Sequence, residues 1–270
     1  MKATVLIDNI SHGELQKQWG LSFYIEHGEN KILLDTGSSD AFFKNALTLG
    51  IELENVDYGV LSHAHYDHSD GIGTFLDKNK KAVFCLSENC KENCYGKRWI
   101  FSKYIGIKKG LMKKYSDRIR YIKGFCELCD GVYLLPHCTE GLEKLGKQTG
   151  IYIKEGRRLV PDSFTHEQSL VVKTDKGLVI FNSCSHGGAD NIINETAHFF
   201  PGEKIFALIG GFHLYKSDEG RVRELAKNIK KTGIEMIYTG HCTGEKAFGI
   251  LKDELGDKAV QLYSGLEIEA

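Results

Sequence analysis

Apolar residues alternate with polar ones, or run together, over residues 3–8, 21–26 and 31–35. That is the period of extended chain, and it predicts three strands with His27-Gly-Glu-Asn30 as the hairpin turn between the last two. Asp35-Thr-Gly37 ends the third strand, and Ser38 or Ser39 is placed to cap a helix carrying Phe42, Phe43, Ala46, Leu47 and Leu49. Val56–Leu61 and Ala82–Leu86 read as two further strands. The second half repeats this style. Residues 168–174 and 177–182 form a hairpin around Asp175-Lys-Gly177, and Lys204–Ile209 is a buried strand. Arg221–Lys231 is an amphipathic helix, Ile234–Tyr238 a strand, Glu245–Glu254 a helix, and Ala259–Tyr263 a closing strand. Two successive sheet-plus-helix halves predict an α/β (α+β) fold, a four-layer αββα sandwich with helices outside and the sheets facing inward. No low-complexity linker separates the halves, so residues 1–270 read as one domain. The stretch from about 88 to 138, rich in Lys, Tyr and Cys with weak periodicity, reads as an insertion or lid where substrate choice can lie.

Composition narrows the picture only a little. The chain has 270 residues, 41% apolar and 26% charged, enough for a large core. Its net charge of -1 supplies no global attraction for nucleic acid, so none is expected as a partner. A local basic strip holds Lys103, Lys108, Lys109, Lys113, Lys114, Arg118, Arg120 and Lys123, a solvated face or a grip for an anionic small molecule. The apolar run before Asp8 is too short for a signal peptide, and no segment approaches membrane-spanning length, so a cytoplasmic protein without a membrane partner is expected. In that setting the eight cysteines are expected to be thiols or metal ligands rather than a disulfide framework. Cys90, Cys94, Cys126 and Cys129, with Cys85 and Cys138 nearby, have spacing that could close an extra zinc or iron–sulfur site, although ordinary buried thiols fit them better. Oligomeric state leaves no mark on the sequence.

The chemistry concentrates in Ser62-His-Ala-His-Tyr-Asp-His68. Four of its seven residues (His63, His65, Asp67 and His68) can bind a transition metal, more than one ion usually takes from one segment, so two adjacent ions are expected. Residues two apart in extended chain point the same way, which lets His63 and His65 share one ion. Asp67 and His68 lie past the turn and can face a second. Two later strands also end in histidine: Leu178–Phe181 leads into Asn182-Ser-Cys-Ser-His186, and Met236–Tyr238 into Thr239-Gly-His241-Cys-Thr-Gly244. His186 and His241 are therefore candidate ligands, with His166 and Cys184 as rivals to His186. His213, after Ile209-Gly-Gly-Phe212, suits substrate binding or proton transfer. His12, His27, His137 and His198 read as surface or core residues.

Together these residues resemble the metallo-β-lactamase superfamily, whose mark is a His-x-His-x-Asp-His segment after a strand. Leu33-Leu-Asp-Thr-Gly37 upstream and His241 near the end complete the likeness. The resemblance implies the αββα sandwich with a dinuclear site at one edge of the two sheets, and makes Asp35 an outer carboxylate that orients the histidine loop. Gly20-Leu-Ser22, Asn182–His186, Gly210-Gly-Phe-His213 and His241–Gly244 resemble a narrower group. It includes the archaeal dihydropterin-ribofuranosylaminobenzene-phosphate synthases of methanopterin biosynthesis. Where the superfamily often places a bridging carboxylate this chain has Cys184, which leaves water or hydroxide as the expected bridge.

The expected cofactors are two divalent ions, zinc first and iron or manganese as alternatives. The expected function is hydrolysis of a small, anionic ester, lactone or phosphate substrate. Asp67 would bind metal and orient the nucleophile, and His213 would stabilise charge or protonate the leaving group. The alternatives are a synthase-like transferase that displaces pyrophosphate from an activated pterin, and a non-catalytic metal-binding or sensor protein.

Overall fold

The computed structural model describes residues 1–270. The first third runs β1 (Lys2–Ile7), β2 (Ser22–His27), β3 (Asn30–Leu34), α1 (Ala41–Thr48), β4 (Tyr58–Val60), α2 (Tyr66–Ser69), α3 (Ile72–Lys78) and β5 (Val83–Ser87). The middle holds β6 (Cys94–Arg98), β7 (Phe101–Tyr104), α4 (Leu111–Lys114), β8 (Ile119–Ile122), β9 (Cys126–Cys129), β10 (Val132–Pro136), α5 (Glu143–Thr149), β11 (Ile151–Glu155) and β12 (Arg158–Pro161). The last third runs β13 (Gln168–Thr174), β14 (Gly177–Phe181), α6 (Ala189–Phe199), β15 (Ile205–Gly210), α7 (Glu219–Thr232), β16 (Met236–Thr239), α8 (Glu245–Leu255), β17 (Ala259–Gln261) and β18 (Glu267–Glu269).

Two seven-stranded sheets, ordered β18-β1-β2-β3-β4-β5-β8 and β17-β16-β15-β14-β13-β10-β9, pack face to face with helices outside, giving the predicted αββα sandwich. Alternation along the strands explains the layering. Leu170, Val172, Val179, Phe181, Ala207 and Ile209 point between the sheets, against Phe23, Ile25 and Ile32 of the other sheet. Their neighbours Val171, Leu178, Ile180 and Leu208 point outward into a core shared with Ile192 of α6, Val222 and Ala226 of α7, and Leu251 of α8. Leu33, Leu61 and Phe84 do the same under Phe42 of α1 and Phe75 of α3. Strands buried on both faces carry continuous apolar runs, which is why they were visible in the sequence.

The structure divides the 88–138 segment instead of setting it apart. β8 pairs with β5, β10 pairs with β13, and β9 pairs with β10, so residues 119–136 extend the two main sheets to their edges at β8 and β9. Only β6 and β7 stand outside the sandwich, in a four-stranded sheet ordered β12-β11-β6-β7. Short strands such as β8, β10 and β6, whose partners β5, β13 and β11 lie 32 to 59 residues away, have no local period to betray them. The basic strip is likewise split among structural tasks. Arg118 donates to the Ala82 and Asn79 carbonyls, and Lys109 and Lys114 sit over Tyr104 and Tyr115. The α1 cap also departs from expectation, for Asp40 occupies the cap position and Ser39 Oγ accepts only the Ala41 N–H. No helix is long and apolar enough to cross a membrane.

Candidate metal centre

The parallel strands β3, β4, β14, β15 and β16 all deliver their carboxyl ends to one rim of the sandwich. Loops that follow parallel strands open outward at such an edge, where open α/β sheets generally bind ligands. Asp35 follows β3, the His63–His68 segment follows β4, Cys184 and His186 follow β14, His213 follows β15, and His241 follows β16. Asp35, Phe164, Ser185, His213 and His241, all of them here, have φ between 47° and 59°. Left-handed backbone at non-glycine residues is held only where the surroundings over-determine it, and it clusters at functional sites.

A hydrogen-bond relay sets the ring orientations. Asp35 Oδ1 accepts the Ser62 N–H at 2.7 Å, and its Oδ2 accepts the Ser62 hydroxyl at 2.7 Å and the His68 Nδ1–H at 2.8 Å. Ser62 Oγ, having donated its proton, accepts from His63 Nδ1 at 2.8 Å. On the far side Asn9 Oδ1 meets His241 Nδ1 at 3.1 Å, and Asp8 Oδ2 accepts the His241 N–H. Three histidines thus have Nδ1 engaged and Nε2 turned inward.

Of those inward atoms only His68 Nε2 has a partner, Cys184 Sγ at 3.2 Å. Nε2 of His63, His65 and His241 and both ring nitrogens of His186 are buried without a hydrogen-bond partner. Leaving buried polar atoms unpaired costs about 1–3 kcal/mol each, which a bound cation would recover. Donor atoms of His63, His65 and His186 lie within 4.8 Å of one another. Asp67 Oδ2 lies 3.5 Å from His241 Nε2 and 3.9 Å from His68 Nε2. The sequence candidates therefore converge as two adjoining groups, with Asp35 behind them. Burial and the neighbouring imidazoles push His63 and His186 well below the ordinary 6.5, and burial brings His65 to about 3. They are neutral imidazoles, the form that ligates metal. The donor set fits divalent transition metals.

The rivals separate by geometry. His166 accepts the Ala64 N–H at Nδ1 and bonds Asp162 through Nε2 at 2.9 Å, so both ring nitrogens are occupied. His186 has both free. Cys90 and Cys94 lie against His166, whereas Cys126 and Cys129 sit on β9 at the edge of the second main sheet.

His137, read from the sequence as a surface or core residue, is buried between Glu167 and Glu195. Glu167 accepts the backbone N–H groups of His186 and Gly187, so this trio holds the loop that presents His186. A Cβ at residue 187 would sit 2.4 Å from the His137 ring, which is why glycine stands there. Burial alone would lower His137, but the two carboxylates outweigh it and hold the ring at about 10, while His137 holds both carboxylates below their ordinary 4.5. The trio's contribution to stability is complete between about pH 4.5 and 6.5. It is lost as pH rises through the raised His137 value near 10, and as pH falls through the depressed carboxylate values. His137→Gln is expected to cost about 3–5 kcal/mol at pH 6, and much less at pH 10. Urea denaturation of both proteins at the two pH values checks this; a pH-independent difference would reject it.

Asp8, Asn9, Ser62, Asp162, Glu167 and His137 were not singled out from the sequence as site residues. Asp8-Asn9 carried a usable signal, since polar residues end the buried strand β1 as Asp35 ends β3. Glu167 and His137 support the site through contacts distant in sequence, whereas Ser62 and Asp162 bond near neighbours, His63 and His166.

The two donor groups open into a cavity of about 600 Å³. His65, Asp67, Cys184, His186 and His213 line it at the centre. Trp19 and Tyr215, in edge-to-face contact at 5.3 Å, make an aromatic wall. The β6–β7 hairpin contributes Lys97, Arg98, Phe101 and Lys103 opposite, and Lys216 joins them. Of the basic strip, only Lys103 reaches this cavity.

Comparisons with known proteins bear on the family. The chain is 32% identical over 261 residues to the 7,8-dihydropterin-6-methyl-4-(β-D-ribofuranosyl)-aminobenzene-5'-phosphate synthase of Methanocaldococcus jannaschii, covering 92% of this chain and 88% of that one. It is 27% identical over 250 residues to an uncharacterised protein of the same archaeon, covering 90% and 91% of the two chains. A solved metal-dependent hydrolase of the β-lactamase superfamily superposes with a TM-score of 0.86 at 31% identity, over 100% of this chain and 99% of that one. The profile of the metallo-β-lactamase superfamily matches residues 20–241, and with the sandwich and the rim of histidines in place, the chain belongs to that superfamily.

Proposed function

We propose that this protein is a dinuclear metal-dependent hydrolase of a small anionic ester, lactone or phosphate. The observation that carries the reading is the set of unpartnered ring nitrogens in two adjoining groups at the floor of a cavity with cationic walls. His63, His65 and His186 would hold one ion, and Asp67, His68 and His241 the other. Two divalent ions, zinc by preference for this nitrogen-rich set, would supply Lewis acidity to the electrophile and to both the attacking and the leaving oxygen.

The chain's own groups do the rest. Burial alone would raise Asp67, but His68 and His241 outweigh it and hold the carboxyl below its ordinary value, so Oδ2 stays ionised and can accept a hydrogen bond from the attacking water. His213, whose Nδ1 has no partner, stands beside His186 with ring centroids 4.4 Å apart and donates a proton to the leaving oxygen. Lys97, Arg98, Lys103 and Lys216 pair with the anionic part of the substrate, and Trp19 and Tyr215 cover a flat apolar part. Arg98→Ala combined with Lys103→Ala is expected to raise KM by about 10- to 100-fold with kcat little changed, because these groups bind substrate and transition state alike. A fall in kcat at constant KM would place them in the chemical step instead.

A second reading is favoured by the similarity to the archaeal synthase and by the cationic wall, which suits a pyrophosphate. In it the same centre holds an activated pterin while an aminobenzene nucleophile displaces pyrophosphate. The discriminating experiment supplies zinc-loaded protein with a pterin pyrophosphate, with and without an aminobenzene acceptor. Release to water alone supports the hydrolase. Release only with acceptor supports the transferase.

A further inference from the structure

Cys184 lies where neither donor group alone needs it and both can reach it. Its Sγ is 3.2 Å from His68 Nε2, and within 4.8 Å of a ring nitrogen of His63, His186, His213 and His241. The residue is 2% exposed, and around it point the unpartnered nitrogens of His63, His186 and His241, themselves no more than 5% exposed. We propose that the Cys184 thiolate bridges the two metal ions, in the place between the sites where a carboxylate or a water would otherwise stand. The proposal rests on the dinuclear reading and deepens it.

The distances suit a bridge. Metal–sulfur and metal–nitrogen bonds of about 2.3 and 2.1 Å at a tetrahedral angle put sulfur and nitrogen about 3.6 Å apart, near the 3.2 Å seen to His68. One sulfur with two such bonds can span ions about 3.5–4 Å apart. The second thiol is differently placed. Cys242 Sγ lies 3.4 Å from Cys184 Sγ, accepts the His213 N–H at 3.2 Å, and groups with His241 on one side only. A Cβ on Gly211 would come 2.5 Å from Cys242 Sγ, so the chain leaves room for that sulfur behind Cys184. Cys242 therefore supports the bridging sulfur and does not share it. On metal binding the Cys184 S–H proton passes to solvent, two metal–sulfur bonds form, and no electron changes hands. Thiolate between the ions favours zinc, iron(II) or cobalt(II) over manganese or magnesium.

Cobalt(II) titration of the metal-free full-length chain tests this without an activity assay. The expected result is a near-ultraviolet thiolate-to-cobalt charge-transfer band that grows across both equivalents, with an electron paramagnetic resonance signal attenuated by spin coupling as the second ion enters. Cys184→Ser should lose the band and weaken both equivalents by more than the roughly 10- to 100-fold that loss of an outer partner costs. Cys242→Ser should keep it. Two cobalt ions bound with no band, a band that grows over one equivalent only, or a band lost in Cys242→Ser and kept in Cys184→Ser would each overturn the bridge and leave the dinuclear reading standing. Uptake of fewer than two ions would overturn that reading and the bridge with it. Because the wild-type titration and the Cys242→Ser protein can each overturn the bridge, a Cys184→Ser protein that fails to fold does not rescue the idea.

Discussion

Asp67→Asn is expected to lower turnover by about 10²- to 10⁴-fold, corresponding to the several kcal/mol that a metal-assisted centre supplies in charge stabilisation. The substitution keeps the shape of the side chain and removes its charge. In the structure the carboxylate faces His241 and His68 and bonds no backbone group that the loop depends on, so the fold should be retained. The amide also cannot accept a proton from water, which separates this residue from a mere spacer. The readouts are initial rates on the best substrate of an ester, lactone and phosphate panel, and metal content by elemental analysis. Full activity with two bound ions in the Asp67→Asn protein would remove Asp67 from the mechanism.

The largest expected effect on the scaffold comes from Asp35. It is fully buried and accepts three donors, the Ser62 N–H, the Ser62 hydroxyl and the His68 Nδ1–H. Asp35→Ala would strand all three at about 1–3 kcal/mol each, several kcal/mol together, and add strain at a residue with φ of 59°. Asp35→Asn is the sharper test, since asparagine tolerates left-handed backbone well. Its amide would present a donor where two donors now converge. His68 can relieve the conflict only by moving its proton from Nδ1 to Nε2, the atom that faces Cys184 and Asp67. Metal affinity should then fall about 10- to 100-fold, as it does when an outer partner of a ligating histidine is lost. Competition with a chromophoric chelator measures this directly. Unchanged affinity with lowered stability would assign Asp35 a purely structural role.

The two substitutions probe opposite ends of one relay. Asp67 touches the place where substrate would react, whereas Asp35 acts through His68 and, by way of Ser62, through His63. Loss of the first should appear in kcat with the fold intact, and loss of the second in metal affinity and denaturation midpoint together.

How legible each part was follows from how local its cause is. β13 and β14 stood out because alternate residues go to different cores and the turn between them is tight. β11 and β12 were missed, being short and half exposed, and β18 was missed because its three residues pair with β1 at the other end of the chain. The His63–His68 cluster was plain because four donors within six residues rarely gather for another reason. The His137 trio was invisible. Its charges come from residues 137, 167 and 195, and nothing near any one of them in sequence announces the others.

By itself the sequence determined the two-sheet sandwich, the strand ends at which polar side chains cluster, and a set of candidate donors in which His166, Cys184 and His186 stayed rivals, because period and spacing act over a few residues. Tertiary structure alone decided three things. It occupied Nδ1 of His166 through an Ala64 contact 102 residues away, with Asp162 on the other nitrogen, and left both nitrogens of His186 free. It set Cys184 between the two donor groups. It also folded the β6–β7 hairpin into the cationic wall of the cavity, by pairing it with β11 from the far side of three main-sheet strands. Each depends on which distant backbones meet, and that is settled by packing the whole core.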